Sequence, residues 1–229
     1  MKTFWDKIVR KFIKHRLQPI RVLCFHQVST HFDATNSWEC DWMHTDVFKQ
    51  KILQLKEQGY TFVSLPAAYD KLKNDTYRKE KYAVLTEDDA NSCILDLMPW
   101  LADQNIPITL FIPYAFITRE DTAHRCGVSM TEEQLNELLK QYPSLVTIGN
   151  HGYHHTQVIR MTIDDFLTDV DAAETHLATY PEKIPFFAYP GGRHTPVADM
   201  LLQKAGLIPV YCDGNMNYNN FDVIHRELL

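Results

Sequence analysis

Apolar positions along this chain follow two rhythms that take turns. Short dense runs occur at Arg21–Phe25, Thr61–Leu65, Lys81–Thr86, Ile108–Ile112, Leu145–Ile148, Pro185–Tyr189, Ile208–Tyr211 and Val223–Ile224. Runs this short, rich in β-branched and aromatic residues, predict buried strands. Between them, apolar residues fall three or four apart, the spacing of one helix face. Phe48, Ile52 and Leu55 mark one such helix, closed by Gly59. Ile94, Leu97, Met98 and Leu101 mark the next, which Pro99 is expected to kink or split. Thr131 and Gln134 have the capping-box spacing before Leu135, Leu138 and Leu139. Phe166, Val170, Ala173 and Leu177 form a further helix, and Thr195 with Pro196 opens another. Strands alternating with helices predict an α/β fold on a largely parallel sheet, open or closed into a barrel.

Composition narrows the picture. A chain of 229 residues with 45% apolar content, and without repeats or a Pro/Gly/Ser linker, reads as one globular domain. A net charge of −6 argues against nucleic acid as a partner. Cys24, Cys40, Cys93, Cys126 and Cys212 are odd in number and lack a CxxC, as expected of reduced thiols in a cytoplasmic protein. No run reaches the length of a membrane span, and no secretory signal is expected. Residues 1–18 stand apart. Lys2, Lys7, Arg10, Lys11, Lys14 and Arg16 outnumber Asp6, while Phe4, Trp5, Ile8, Val9, Phe12 and Ile13 keep helical spacing. The expected division is a basic amphipathic helix over 1–18 and a domain over 19–229. Such a helix docks on the domain with its basic face in water, or lies peripherally on the anionic inner membrane surface.

The candidate chemistry gathers where strands end, which is where parallel α/β folds place their sites. Asp88 and Asp89 close the run Tyr82–Leu85. His151, His154 and His155 follow Leu145–Ile148, and Pro190-Gly191-Gly192 follows Pro185–Tyr189. One carboxylate with two imidazoles is a half-open site for a divalent metal. His151 and His155 are the pair four apart, with His154 a rival to His155. The spare carboxylate beside them is a ready general base for a water the metal activates. A second acid pair, Asp164–Asp165, opens a helix and reads as a complement to its dipole. His26 also leaves a strand end and is a candidate site residue of unspecified role. Trp38 and Trp42 read as loop residues covering the barrel bottom, Lys71–Lys81 as a solvated connector, and Asp213-Gly214-Asn215 as a turn.

These residues carry a resemblance. Thr86-Glu87-Asp88-Asp89-Ala90 resembles the Thr-Phe-Asp-Asp-Gly signature of the polysaccharide deacetylases, carbohydrate esterase family 4. His151-Gly152-Tyr153-His154-His155 resembles their His-Ser/Thr-x-x-His motif, and Phe187-Ala188-Tyr189-Pro190-Gly191-Gly192 resembles a third motif. The form of that third motif, Phe25-His26-Gln27-Val28, and the stretch from Phe48 to Leu65 are similar to the branch acting on poly-N-acetylglucosamine. The resemblance implies a distorted (β/α) barrel of about seven parallel strands, and a metal-dependent hydrolase removing N-acetyl groups from an N-acetylated sugar or glycan precursor. By motif position, Asp89, His151 and His155 hold the metal, Asp88 is the base, and the Gly191 backbone N–H donates to the oxyanion. Zn²⁺ suits the donor set best, with Co²⁺, Ni²⁺ or Mn²⁺ as substitutes.

The chain departs from the pattern in four places. Glu87 stands for Phe and Ala90 for Gly in the first motif, which is expected to alter loop shape or pocket charge. Ala188 stands where the third motif carries the Arg that orients the base, leaving Arg193 as a candidate replacement. The late Leu-x-x-His motif that supplies a general acid has Asp222 at its Leu position, leaving His225 as a candidate acid on a closing strand. These changes keep two other readings in view. One is a sugar- or partner-binding pseudoenzyme that retains the metal site, and the other is metal-assisted hydrolysis of another amide or ester.

Overall fold

The computed structural model describes residues 19–31, 42–121, 127–218 and 221–229. The segment 1–18, Trp38, Cys40 and Cys126 lie outside the described residues. In chain order the elements are β1 (Arg21–Phe25), β2 (Gln27–Ser29), β3 (Trp42–His44), α1 (Thr45–Glu57), β4 (Tyr60–Phe62), α2 (Leu65–Lys73), β5 (Lys81–Asp88), α3 (Cys93–Asp103) and β6 (Ile108–Ile112). There follow α4 (Tyr114–Ile117), α5 (Glu132–Gln141), β7 (Val146–Asn150), α6 (Ile163–Leu177), β8 (Lys183–Ala188), α7 (Pro196–Lys204), β9 (Ile208–Cys212) and β10 (Ile224–Leu228).

Seven of the strands close a ring. β5, β6, β7, β8, β9 and β10 pair in sequence, β10 pairs with β1, and β1 returns to β5, every pairing parallel. Short β4 adds to β5 at Lys81–Ala83, before β6 takes over at Leu85. The expected seven-stranded parallel barrel in a single domain is therefore the fold.

Strand alternation splits the core into layers. Val22, Val84, Phe111, Phe186, Ala188, Val210 and Ile224 belong to one cluster, the barrel lumen. Their neighbours Leu23, Leu85, Leu110 and Ile148 belong to another, shared with Phe48, Ile94, Leu97, Leu135 and Leu138 of the surrounding helices. Helix α2 adds Leu65, Ala68 and Leu72 to the lumen cluster. It plugs the end where the strands begin and leaves the opposite end for chemistry.

Local signals explain most helix starts. Thr131 and Gln134 form the reciprocal capping box, and Thr195 accepts from the Ala198 N–H with Pro196 in the first turn. Three expectations need correction. Helix α3 runs unbroken through Pro99, because Leu97, Met98 and Leu101 on either side of it are buried and hold both halves on the barrel. Leu65 starts a helix rather than ending a strand. Ser64 caps it through the Ala67 N–H, and Lys71 and Lys73 lie in its last turn rather than in a connector. Trp42 belongs to β3, pairs with β2 just beyond the C-terminal end of β1, and donates from Nε1 to Ser29 Oγ at 2.7 Å. It therefore sits on the side where the barrel strands end, not at the bottom.

Candidate active site

Asp88 is the last residue of β5 and shares the parity of Val84 and Thr86, so its carboxyl enters the lumen. Arg226 of β10 has the parity of Ile224 and meets it there. Its Nη1 donates to Asp88 Oδ1 at 2.6 Å and its Nη2 to Oδ2 at 2.8 Å, while Nη1 also reaches Thr86 Oγ1 at 3.1 Å. The guanidinium lies over the Phe111 ring, 5.1 Å from its centroid. Arg226 is 1% and Asp88 4% exposed, so neither charge is screened by bulk water. Burial alone would raise the Asp88 pKa, but Arg226 overrides it and holds the carboxyl well below the usual range. Asp88 is thus an ionised carboxylate fixed in one orientation.

The chain turns sharply after Asp88. Asp89 and Ala90 adopt positive φ of 79° and 51°, and the Asp89 N–H donates to Phe111 O at 3.1 Å. The turn swings Asp89 toward the end of β7, where His151 sits 1% exposed. His151 Nδ1 is 2.7 Å from Ala188 O. A carbonyl only accepts, so Nδ1 carries the proton and Nε2 presents a lone pair. Burial lowers the His151 pKa to about 4, against the pull of Asp88, which keeps the ring neutral at pH 7. Asp89 Oδ1 lies 3.8 Å from His151 Nε2 and 3.2 Å from His155 Nε2.

The loop carrying the histidines is held from beneath. Asn150 Oδ1 accepts the Gly152 N–H at 2.6 Å, and Asp169 of α6 accepts the Tyr153 and His154 N–H groups at 2.8 and 3.0 Å. Gly152 has a φ of 77°, and a Cβ there would stand 2.7 Å from Asp169 Oδ2. His154 is exposed with its ring against Tyr153, and His155 is the one of the two whose ring nitrogen comes near Asp89 Oδ1.

The donor set fits a divalent cation. Ligand atoms of Asp89, His151 and His155 lie within 4.8 Å of one another. Asp89 Oδ1 is buried without a hydrogen-bond partner, which is costly for a carboxylate oxygen unless a cation completes it. One oxygen and two imidazole nitrogens match a zinc-type site with positions left open.

The remaining candidates divide. A ring nitrogen of His26 comes within 4.8 Å of an Asp88 carboxylate oxygen, as does the Cys24 thiol. Gly191 has a φ of 61°, which favours glycine, and a Cβ there would stand 2.4 Å from the end of the Gln157 side chain at Nε2. His225 lies on the face of β10 opposite Arg226. Its Nδ1 is 2.9 Å from Asp213 Oδ2 and its ring packs edge-on to Tyr211, so it is not gathered with Asp88. Arg193 is exposed, and the arginine on Asp88 is Arg226. Glu87 points away from the pocket: it is fully buried on the strand face opposite Asp88, and burial pushes its pKa well above the usual carboxylate range. Its Oε1 accepts the Asn91 N–H at 2.8 Å and braces the turn. Arg226 and Asp169 escaped sequence reading. Arg226 was legible as a charge at a lumen position of a closing strand, and Asp169 had no local signal.

A parallel barrel with a carboxylate–imidazole triad and a separate oriented carboxylate at its strand ends has the groups that a barrel hydrolase requires. Residues 75–210 match the polysaccharide deacetylase family model, and the chain belongs to that family. It is accordingly a carbohydrate de-N-acetylase. The fold is similar to IcaB from Ammonifex degensii, with a TM-score of 0.77, 21% identity, and 93% of this chain and 92% of that one covered. Streptococcus pyogenes deacetylase PplD in complex with acetate gives 0.76 and 19%, covering 92% of each chain. The BpsB deacetylase domain from Bordetella bronchiseptica gives 0.68 and 18%, covering 93% of this chain and 96% of that one. No curated protein matches in sequence. Both His26 and Arg226 fall outside the matched stretch 75–210.

Proposed function

We propose that the chain removes acetyl groups from an N-acetylated sugar or glycan precursor, with Asp89, His151 and His155 holding a divalent metal, Zn²⁺ by donor chemistry. The observation that carries this reading is the division of labour in the acid pair. Arg226 engages both oxygens of Asp88, whereas its neighbour Asp89 keeps a buried oxygen bare toward two imidazoles. The first is a base held in position, the second a ligand.

An amide carbonyl is a weak electrophile, so hydrolysis needs an activated water and a stabilised oxyanion. A divalent ion at the triad supplies Lewis acidity for both. Asp88 accepts the proton of the attacking water at a carboxylate oxygen whose direction Arg226 fixes. Burial keeps His151 neutral, and its bond to Ala188 O fixes the tautomer that turns the Nε2 lone pair to the site. The Gly191 N–H donates to the oxyanion, a role worth ~3–4 kcal/mol in comparable sites. His26, which lies against Asp88, is better placed than His225 to give a proton to the departing sugar amine. The absence of an orienting Arg favoured the binding-only reading in the sequence, and Arg226 removes that ground.

Poly-N-acetylglucosamine is the substrate class we favour, supported by motif resemblance and by the barrel shared with IcaB. The test is acetate release from N-acetylglucosamine oligomers. Native protein should release acetate, and Asp88→Asn should lose it by about 10²-fold or more while keeping its metal. Metal-loaded native protein that releases no acetate from these oligomers or from small acetyl esters would overturn the reading.

A further inference from the structure

The space beside Gly191 is filled by a side chain from another loop. Where a Cβ of residue 191 would lie, Gln157 stands instead, with Nε2 at 2.4 Å, Cδ at 3.2 Å and Cγ at 3.3 Å from that point. The Gln157 side chain therefore lies along the Gly191 backbone, with its amide nitrogen nearest.

The loop after the histidines brings it there. Gln157 follows His155 by two residues and is the N-cap of the 3₁₀ turn Val158–Arg160, yet its side chain makes no capping bond. Nor does that amide hydrogen-bond to any other described residue. Val158, next in sequence, packs against the cluster of Phe166, Phe187 and Tyr189, which ties the loop to the end of β8, just before Gly191. The loop thus spans from the His155 ring, whose Nε2 is 3.2 Å from Asp89 Oδ1, to the backbone of Gly191. A half-buried primary amide at that place keeps two N–H donors for a ligand.

We propose that Gln157 is a catalytic residue whose side-chain amide donates to the oxyanion beside the Gly191 N–H. The inference rests on the oxyanion role proposed for Gly191. As water adds to the acetyl carbon and yields a proton to Asp88, the carbonyl π pair moves onto oxygen. The N–H groups of Gln157 and Gly191 face that growing charge together. When the C–N bond breaks, the pair returns to form the carbonyl of acetate, and the C–N electrons leave on the amine, which takes a proton. Gln157 itself exchanges no proton and forms no covalent bond. Its donation counts for more in the transition state than in the ground state, because the oxygen carries only a partial charge before attack. The glycine makes the arrangement feasible, since a Cβ at 191 would claim the volume that the amide fills.

Gln157→Met is the decisive variant, because methionine keeps the length of the stem and loses the donor. In full-length, zinc-loaded protein acting on N-acetylglucosamine oligomers, it should lower kcat by about 10²-fold. KM should stay within about twofold of native, as expected when an interaction belongs to the transition state alone. A glucosamine oligomer carrying a methylphosphonyl group in place of acetyl mimics the tetrahedral oxyanion. Its affinity should fall by about the same factor as kcat. Elemental analysis should find the metal content unchanged. Should Gln157→Met fail to fold, Gln157→Ala takes its place in the same measurements. A Gln157→Met protein as active as native, with Gln157→Ala impaired, would show that the side chain only fills space, and overturns the proposal. So does a rise in KM at constant kcat, or a loss of metal, which would place the effect on His155. Native protein that releases no acetate would instead remove the proposed function, and this inference with it.

Discussion

Arg226 grips Asp88 with both ends of its guanidinium, 138 residues away along the chain and across the barrel lumen. Removing one partner of a buried pair leaves an uncompensated charge, which costs about 3–5 kcal/mol. Arg226→Gln should therefore lower unfolding stability by that order. The folded pKa of Asp88 lies below its unfolded value, so the pair stabilises above that unfolded value and the contribution fades as pH falls toward the folded one. The deficit of the variant should accordingly shrink in acid. The same loss raises the Asp88 pKa, so the acid limb of kcat/KM should move to higher pH. An unmoved limb in a folded variant would mean that Asp88 is not the base.

Metal content offers a check that does not involve turnover. Asp89→Asn and His155→Ala should each abolish stoichiometric binding measured by elemental analysis. Asp169→Ala frees the Tyr153 and His154 N–H groups and should weaken affinity about 10–100-fold, as losses of ligand-orienting partners do. Chelation should lower the Tm of native protein. A free ion at about 100 times its Kd stabilises by ~2.7 kcal/mol. A native Tm indifferent to chelator would contradict the site.

Ala90 occupies a left-handed backbone position with a φ of 51° at the turn that aims Asp89. An L-residue there is strained by about 1–2 kcal/mol, whereas glycine carries no such strain but more freedom in the unfolded chain. Ala90→Gly should raise stability by up to about 1 kcal/mol in urea denaturation without loss of metal. A destabilised variant would show that the Ala90 methyl packs well enough to outweigh the strain.

Glu87 titrates in the opposite direction to Asp88. Burial raises its folded pKa above 4.5, so the folded state keeps a proton that the unfolded state loses. Its contribution is complete below the unfolded value and is lost as pH rises toward the folded one. Glu87→Gln removes the titration and keeps an acceptor for the Asn91 N–H. The variant should gain stability over native protein as pH rises above the unfolded value toward the folded one, on the order of 1 kcal/mol for each pH step of one between the two. Parallel stability curves would show that Glu87 is ionised in the fold.

Much of this architecture is legible in the sequence, because barrel strands and amphipathic helices announce themselves by period. Ile108–Ile112 and the capping box at Thr131 needed no tertiary information. The residues the fold gathers at Asp89, His151 and His155 were readable because they follow the ends of β5 and β7. What escaped depended on distance or brevity. β2 and β3 are three residues each, too short for alternation to register. Helix α2 carried Ser64, Pro66 and the spacing Leu65, Ala68, Leu72, but the preceding strand run absorbed its first residue. The partner of Asp88 was sought near Ala188, in the motif, whereas the fold supplies it from the strand that closes the ring. His225 and Arg226 are adjacent in sequence and point to opposite sides of one wall, which only a settled register reveals.

That closing strand gives the molecule an order of assembly. Synthesis from the N-terminus places the acid pair and both imidazoles in the growing polypeptide well before Ile224–Leu228 emerges. Until then the ring has six of its seven strands, and β1 lacks one of its two barrel neighbours. Docking the seventh seals the cylinder and delivers the guanidinium to Asp88 in one event. Asp88 thus gains its partner only with completion of the fold, and a nascent chain on the ribosome would carry Asp89, His151 and His155 before Arg226 reached Asp88.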